Sequence, residues 1–199
     1  MADEKRPYRK QRRAELEEET RRRITESTVA LHGTVGPSRT SIKAVAEHAR
    51  VRRSTVYRHF RDEAALFEAC TAHWISLNPP PDLAIWEEID IPDLRLRRGL
   101  EELYAYYRRT EPMMDNLRRD EATMPTVKRL FAGFRDYLQS ARRTLLRGRR
   151  ARGRARARAA AAIGHSLSFA TWQSLAREQG MEDVEAAELM CRLVAAAGR

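Results

Sequence analysis

Cysteine is scarce in this sequence of 199 residues, which contains only Cys70 and Cys191. Two distant cysteines are too few for a disulfide framework or a cysteine-ligated zinc site, so we expect a reducing compartment and two buried thiols. No apolar run is long enough to cross a bilayer, and the first residues, MADEKRPYRKQRR, are charged throughout. The sequence therefore predicts no transmembrane segment, no signal peptide and a cytoplasmic protein.

The residue patterns of catalysis and metal binding are also absent from the sequence. Its five histidines show no metal-ligand spacing with carboxylates or cysteines. Residues 164–168, GHSLS, match a nucleophile elbow only in part, because the final glycine is missing and no strand pattern precedes them. We therefore predict no metal, no cofactor and no enzymatic activity.

Strand-like alternation of apolar and polar residues does not extend over any useful length, whereas helical spacing recurs along the chain. The sequence therefore predicts an all-α fold. The prolines at 79–81 break the chain firmly. We predict one helical domain over residues 17–78 and a second over residues 82–199.

Positive charge exceeds negative charge by ten, and nearly all of it is arginine. The excess lies in residues 1–80 and 147–199, while residues 81–146 are neutral. Residues 1–16 are polar and basic and lack periodicity, so we predict a disordered arm that either follows a phosphate backbone or is merely solvated. Residues 147–158, RGRRARGRARAR, are interpreted as a glycine-interrupted basic connector.

Residues 40–60, TSIKAVAEHARVRRSTVYRHF, predict two short helices joined by a tight turn. Apolar residues at helical spacing face inward in each half, and small alanines let the two helices approach closely. Thr40 or Ser41 can cap the first helix, from which Lys43 points outward. The outward residues of the second half are Arg52, Arg53, Ser54, Thr55, Tyr57, Arg58 and His59.

These outward side chains suit DNA, because arginine pairs bidentately with guanine or phosphate and hydroxyl groups reach phosphate oxygens. The alternative is an ordinary solvated helix pair, since helix-turn-helix geometry also occurs as a scaffold. On the residues alone we favour DNA binding.

The run A-V-A-E-H-A-x-V-x-x-S-T-V-Y-R-H-F resembles the DNA-binding domain of TetR-family transcriptional regulators, and the resemblance covers about residues 20–78. It implies phosphate contacts by Thr55, Tyr57 and His59. It also implies base readout by Arg52, Arg53 and Ser54.

The sequence departs from the family pattern at two positions. Arg50 stands where the turn usually has glycine, so Arg50 must adopt the conformation that glycine normally supplies, or the turn differs. Arg52 replaces the usual capping serine, which weakens the cap and adds a positive charge. The predicted DNA-binding surface is completed by Thr40, Ser41, Lys43, Arg50 and Arg58.

The last two predicted helices, at about residues 159–179 and 182–197, are apolar on more than one face, and such a helix needs two partners. One partner is the core of the same subunit, and the other is a second copy of the chain. The resemblance implies a homodimer held by a four-helix bundle, which places two recognition helices on a near-palindromic site. The predicted interface residues are Ile163, Leu167, Ala170, Val184, Met190, Leu193 and Val194.

Aromatic residues and methionines of the middle helices can line an apolar interior. The predicted pocket residues are Tyr104, Tyr107, Met113, Met114, Leu117, Met124, Phe131, Phe134, His165, Phe169 and Trp172. A plain helical core uses the same residue types, so simple packing is the alternative. The resemblance implies a small hydrophobic effector that releases the DNA operator.

Together these features predict a homodimeric, ligand-released repressor that binds double-stranded DNA. The alternative is an architectural protein that binds DNA without sequence preference through its arginine-rich segments. Discrimination between an operator and random DNA separates the two functions.

Overall fold

The computed structural model describes residues 5–199, with side chains from Lys10 onward. All regular elements in this range are helical, which confirms the predicted all-α fold. The first helices are α1 (Lys5–Thr34), α2 (Ile42–His48), α3 (Arg53–His59) and α4 (Glu63–Leu77). The others are α5 (Leu83–Glu87), α6 (Pro92–Glu121), α7 (Pro125–Leu130), α8 (Ala132–Leu146), α9 (Gly153–Ser166), α10 (Phe169–Gln173) and α11 (Asp183–Ala197).

The chain divides into two compact units. The first contains the described residues up to Asn78 together with Asp115–Leu130, and the second contains Pro79–Met114 together with Phe131–Arg199. The predicted boundary at the prolines therefore coincides with a real change of unit. Residues 115–130, which we placed in the second domain, instead belong to the first unit.

Helix α1 begins at Lys5, so the predicted disorder of residues 1–16 is wrong from residue 5 onward, and residues 1–4 lie outside the described part of the chain. This segment is rich in arginine, lysine, glutamine and glutamate, which favour helices without any apolar stripe. Arg13 also pairs with Glu17 one turn later, with 3.1 Å between Nε and Oε1. Charged helix formers therefore extend the helix beyond the part that packs.

The core of the first unit joins the C-terminal half of α1 to α2, α3 and α4. Its centre consists of Ile24, Val45, Val56, Phe60 and Leu66, each at most 2% exposed. Asp62 caps α4, and its Oδ1 accepts from the N–H of Ala65 at 2.7 Å. These contacts place α2 and α3 against α1 as a fixed pair.

His32 is buried in the first unit. Its ring lies 4.6 Å from that of Phe67, and its Nδ1 lies 3.4 Å from Sγ of Cys70. Burial lowers the pKa of His32 to about 4 and raises the pKa of the Cys70 thiol to about 12. Both groups are therefore neutral near pH 7.

The second unit is built around the first three-quarters of α6, Pro92–Met114. Trp86 of α5 is fully buried, and its Nε1 donates to Glu102 at 2.6 Å. A Cβ at Gly99 would lie 3.1 Å from Leu145 and 3.3 Å from Trp86, so glycine permits this close approach. Burial of the Trp86 indole thus depends on Gly99 of helix α6.

Three features of the helices depart from simple local signals in the sequence. Pro112 lies inside α6 without interrupting it, because the neighbouring Tyr107, Met113 and Met114 are buried and hold both sides of the proline in place. The helical segment that follows Pro125 is divided at Phe131 into α7 and α8. Helix α9 begins at Gly153, so half of the predicted basic connector is helical.

The predicted helix over residues 159–179 is also interrupted. It ends at Ser166, and after a short break α10 passes into a π-helical turn over Ser174–Glu178. Gly180 follows with a φ of 69°, and α11 then begins with a capping box between Glu182 and Glu185. In the part of the chain that the structure describes, no helix combines the length and apolar character needed to span a membrane.

Candidate functional site

Helix α2 supports the candidate site and is capped at Ser41. The Ser41 hydroxyl accepts from the N–H of Ala44 at 3.1 Å, which is the N-cap bond that the sequence predicted for either Thr40 or Ser41. The Thr40 hydroxyl instead donates to the carbonyl oxygen of Gly36 at 2.8 Å. Lys43 is exposed, as predicted, and its Nζ lies 3.8 Å from Glu47.

The turn between α2 and α3 has the geometry of a Schellman motif. The N–H of Val51 donates to the carbonyl oxygen of Ala46 at 2.9 Å, and the N–H of Arg50 donates to that of Glu47 at 3.1 Å. Arg50 has a φ of 54°, the left-handed conformation in which this motif usually places glycine. The prediction that Arg50 takes over the conformation of a glycine is therefore confirmed.

Helix α3 presents a polar face to solvent. Val56 is buried, whereas Arg53, Ser54, Tyr57 and Arg58 are exposed, and Tyr57 retains 46% of its accessible surface. Thr55 is half-buried, and Arg52 stands at the N-cap position without a side-chain cap bond, as predicted from the missing serine. The face thus combines guanidinium and hydroxyl groups on a short, rigid helix.

The C-terminal end of α3 is tied to α1 through Arg21. Its Nη1 donates to the carbonyl oxygen of His59 at 2.7 Å, and its guanidinium lies 4.3 Å from the ring centroid of Phe60. Burial and the nearby Arg58 and Arg21 lower the pKa of His59. Its Nε2 is buried without a hydrogen-bond partner, so a phosphate contact through Nε2 requires the ring to turn outward.

Three residues at the C-terminal end of α6 support the same unit, and the sequence did not indicate them. Asn116 Nδ2 donates to the carbonyl oxygens of His32 and Gly33 at 2.9 and 3.0 Å. Asp120 accepts from the N–H of Ser38 at 2.9 Å, and Arg119 donates to the carbonyl oxygen of Val35 at 3.1 Å. These bonds satisfy polar groups at the end of α1 and in the following turn.

Close packing in that turn also requires Gly36. Its φ is 93°, and a Cβ there would lie 2.0 Å from Arg119 and 2.8 Å from Asp120. No local pattern connects positions more than eighty residues apart. These supporting contacts of Asn116, Arg119 and Asp120 could therefore not be predicted from the sequence.

Most predicted pocket residues of the second unit form a packed aromatic cluster. The Tyr107 ring contacts Phe134, Phe169 and Trp172 at centroid distances of 5.3–6.4 Å. The hydroxyls of Tyr104 and Tyr107 donate to the carbonyl oxygens of Ser166 and Leu167 at 2.9 and 2.6 Å.

The remaining pocket residues vary in location and exposure. Met113 and Met114 are buried, Phe131 is half-buried and His165 is exposed. Leu117 and Met124 belong to the first unit. The chemistry of the cluster fits an apolar ligand, while its hydrogen bonds also suit a plain core.

The predicted dimer residues fall into two groups. Ile163, Leu167, Met190 and Val194 are at most 6% exposed within a single chain, so their prediction as contacts with a second chain is wrong. They belong instead to the buried interior of the single chain, as the inward residues of an amphipathic helix do. Ala170 is half-buried, and Val184 and Leu193 are 63% and 45% exposed.

The arginine run over residues 147–158 is partly used inside the fold. Arg149 Nη1 donates to Asp93 at 2.9 Å, and Arg158 donates to the carbonyl oxygens of Ala197 and Arg199 at 3.2 and 2.9 Å. Among the described residues, no cluster of histidine, cysteine and carboxylate side chains could hold a metal ion.

Part of the first unit is similar to a known protein family. Residues 24–70 match the family model of bacterial regulatory proteins of the tetR family. Among curated proteins, no sequence matches the chain significantly. A TetR-like transcriptional regulator from Rhodococcus sp. RHA1 has a similar structure, with a TM-score of 0.65 and 20% identity over 90% of this chain and 97% of its own.

Two further solved structures share the fold. A putative TetR-family transcriptional regulator from Mesorhizobium loti MAFF303099 has a TM-score of 0.63 and 18% identity over 91% of this chain and 96% of its own. The multidrug binding protein EbrR, complexed with imidazole, has a TM-score of 0.52 and 20% identity over 88% of this chain and 89% of its own. At these identities the likeness establishes the arrangement of helices.

Proposed function

We propose that the chain is a DNA-binding transcriptional regulator, as the match of residues 24–70 to the tetR family supports, and that it represses transcription from a near-palindromic operator. In this proposal it binds as a homodimer and is released by a small hydrophobic effector. The match of residues 24–70 to a family of regulatory proteins, rather than the absence of a catalytic group, supports a regulatory and non-enzymatic role.

The outward face of α3 carries the proposal. A short helix held at both ends can enter the major groove as a rigid unit, because the Schellman turn fixes its start and Arg21 fixes its end. We assign base readout to Arg53 and Ser54, near the start of the helix, and phosphate contact to Tyr57.

Selection of bound sequences from a random duplex library at physiological salt is the first test. Enrichment of a near-palindrome is the expected result, since two symmetry-related recognition helices read two half-sites. Binding without enrichment would favour the architectural alternative. The internal bonds of Arg149 and Arg158 weigh against that alternative, because those guanidinium groups already have partners.

Two substitutions separate the roles within α3. Arg53→Gln should change the preferred bases at one position of each half-site, whereas Tyr57→Phe should weaken binding to all sequences alike. Arg61→Gln is a matched control, because Arg61 is equally exposed but lies beyond the end of α3. An unchanged preference in the Arg53 variant would remove that residue as a base reader.

For the homodimer we propose the exposed side of α11. Leu189, Leu193 and Ala196 share one face at i, i+4 and i+7, and they are half-buried or exposed in a single chain. Leu193→Glu should therefore give a folded monomer on a sizing column. Ile85→Glu is the control, because Ile85 has a similar exposure of 48% on α5, and it should leave the dimer intact.

We propose the aromatic cluster around Tyr107 as the effector site. EbrR, which shares the fold, is complexed with the small aromatic molecule imidazole, and the half-buried Phe131 and Phe134 lie at the edge of the cluster here. An effector lowers DNA affinity only to the extent that it binds the conformation unable to bind DNA more tightly than the conformation that binds DNA. Small aromatic compounds should release the operator, and Phe134→Ala should change their potency without changing effector-free DNA binding.

A further inference from the structure

A groove in the second unit differs in chemistry from the packed aromatic cluster. A groove of about 460 Å³ lies between α5, the C-terminal half of α8 and the start of α9. Arg143, Arg147 and Arg156 line it, together with the single carboxylate of Glu87. Its only apolar lining residue is Leu83, so the groove does not suit the hydrophobic effector proposed above.

The positive charge of this groove is only partly compensated. Arg143 Nη2 donates to the Ser140 hydroxyl at 3.0 Å, and Arg147 Nη2 donates to the carbonyl oxygen of Glu87. Both partners are neutral oxygen atoms. The Glu87 carboxylate itself accepts from the Thr144 hydroxyl at 3.0 Å, and it offsets one of three guanidinium charges. The lining therefore keeps an excess of two positive charges.

A fourth guanidinium lies beneath the groove. Arg95 is 2% exposed, and its Nη1 donates to the carbonyl oxygens of Thr144 and Arg147 at 3.2 and 2.8 Å. Its Nε donates to the carbonyl oxygen of Ile89 at 2.7 Å. Thr144 and Arg147 both line the groove, so the buried charge lies against the backbone of its floor and adds to the positive potential there.

We propose that this groove binds a small phosphoanion, such as a diphosphate or a phosphate ester with at least two negative charges. Guanidinium groups match phosphate oxygens bidentately, and a dianion balances the excess charge of the lining. The volume falls in the range of small-molecule sites. The site gives Arg147 and Arg156 of the arginine run a role that does not depend on operator binding.

Inorganic pyrophosphate is the probe for this site. Titration of the full chain by calorimetry, with sodium chloride adjusted to hold the ionic strength constant, should show saturable binding. The variant R143Q/R156Q should weaken that binding about tenfold or more, because it removes two charge-assisted contacts. The variant R150Q/R152Q is the control, since it removes two exposed arginines of the same run that do not line the groove.

Three results would overturn the proposal. The first is no saturable binding at constant ionic strength, and the second is an equal loss in R143Q/R156Q and R150Q/R152Q. The third is displacement of pyrophosphate by a short random duplex that R143Q/R156Q binds correspondingly less well, because the groove would then hold nucleic-acid phosphates. Circular dichroism of each variant must match the wild type, so that lost binding is not lost structure.

Discussion

The left-handed conformation of Arg50 predicts that replacing this residue with glycine has opposite effects on the stability of the fold and on its affinity for DNA. A residue with a Cβ costs about 1–2 kcal/mol in this conformation, and glycine avoids that cost. The Arg50 side chain is exposed beside α3, where it adds positive charge to the proposed DNA surface. Arg50→Gly should therefore stabilise the first unit while it weakens DNA binding.

The size of the stabilisation follows from two opposing terms. Glycine relieves about 1–2 kcal/mol of backbone strain but loses roughly 0.5–1 kcal/mol more conformational entropy on folding. These ranges leave a net gain of about 0–1.5 kcal/mol, and the midpoint of about 0.75 kcal/mol corresponds to a rise in Tm of about 1.5–3 °C for a chain of this size. The Schellman bonds of Val51 and Arg50 use backbone atoms only, so the substitution leaves them intact.

Arg50→Ala is the matched control, because it removes the same charge and keeps the strain. Thermal unfolding followed by circular dichroism should rank Arg50→Gly above both the wild type and Arg50→Ala. Operator binding, measured against salt concentration, should weaken equally in the two variants. If Arg50→Gly is no more stable than Arg50→Ala, the turn is not strained and the reasoning from its φ fails.

Three further substitutions test the supports of each unit. Because the pKa of His32 is lowered in the folded chain, the unfolded chain binds a proton more readily at acid pH. The free energy of unfolding should therefore fall by about 2–3 kcal/mol between pH 7 and pH 4.5. In urea unfolding, His32→Phe should make the free energy of unfolding depend less on pH over this range. Asn116→Ala should lower the free energy of opening of α1 by about 1–3 kcal/mol, because the carbonyl oxygens of His32 and Gly33 lose their hydrogen-bond donor. Hydrogen exchange of the α1 amides measures this change. Asp183→Asn should lower the free energy of unfolding by about 1–2 kcal/mol, because the carboxylate accepts from Nε and Nη2 of Arg108 and from Nε1 of Trp172. An unchanged Tm in thermal unfolding would show that these donors find other acceptors.

Local chemistry made the helix-turn-helix predictable. The cap at Ser41, the unusual conformation of Arg50 and the uncapped Arg52 each depend on residues within a few positions, and the structure agrees with the sequence at all three. The outward face of α3 follows from helical periodicity around Val56. These features could be read from the chain because short-range sterics and hydrogen bonding decide them.

The second half of the chain was less predictable because burial there depends on tertiary packing. Leu167 and Val194 were assigned to a dimer, although their apolar side chains are used within one subunit. Helical periodicity shows that a residue faces an apolar partner, but it cannot show whether that partner belongs to the same chain. Pro112 posed a similar problem, since burial on both sides overrides its tendency to end a helix.

The polar support of the DNA-binding unit lies beyond the reach of any periodic pattern. Asn116, Arg119 and Asp120 satisfy groups of α1 and the following turn, and all three lie outside the matched residues 24–70. They belong to α6, whose earlier residues lie in the second unit, so one continuous helix contributes to both units. A buried carbonyl group costs about 1–3 kcal/mol when it loses its partner. The proposed recognition surface therefore depends for its stability on a segment that carries none of the proposed DNA-binding residues, and we expect a change at these positions of α6 to alter DNA binding without a change in α3.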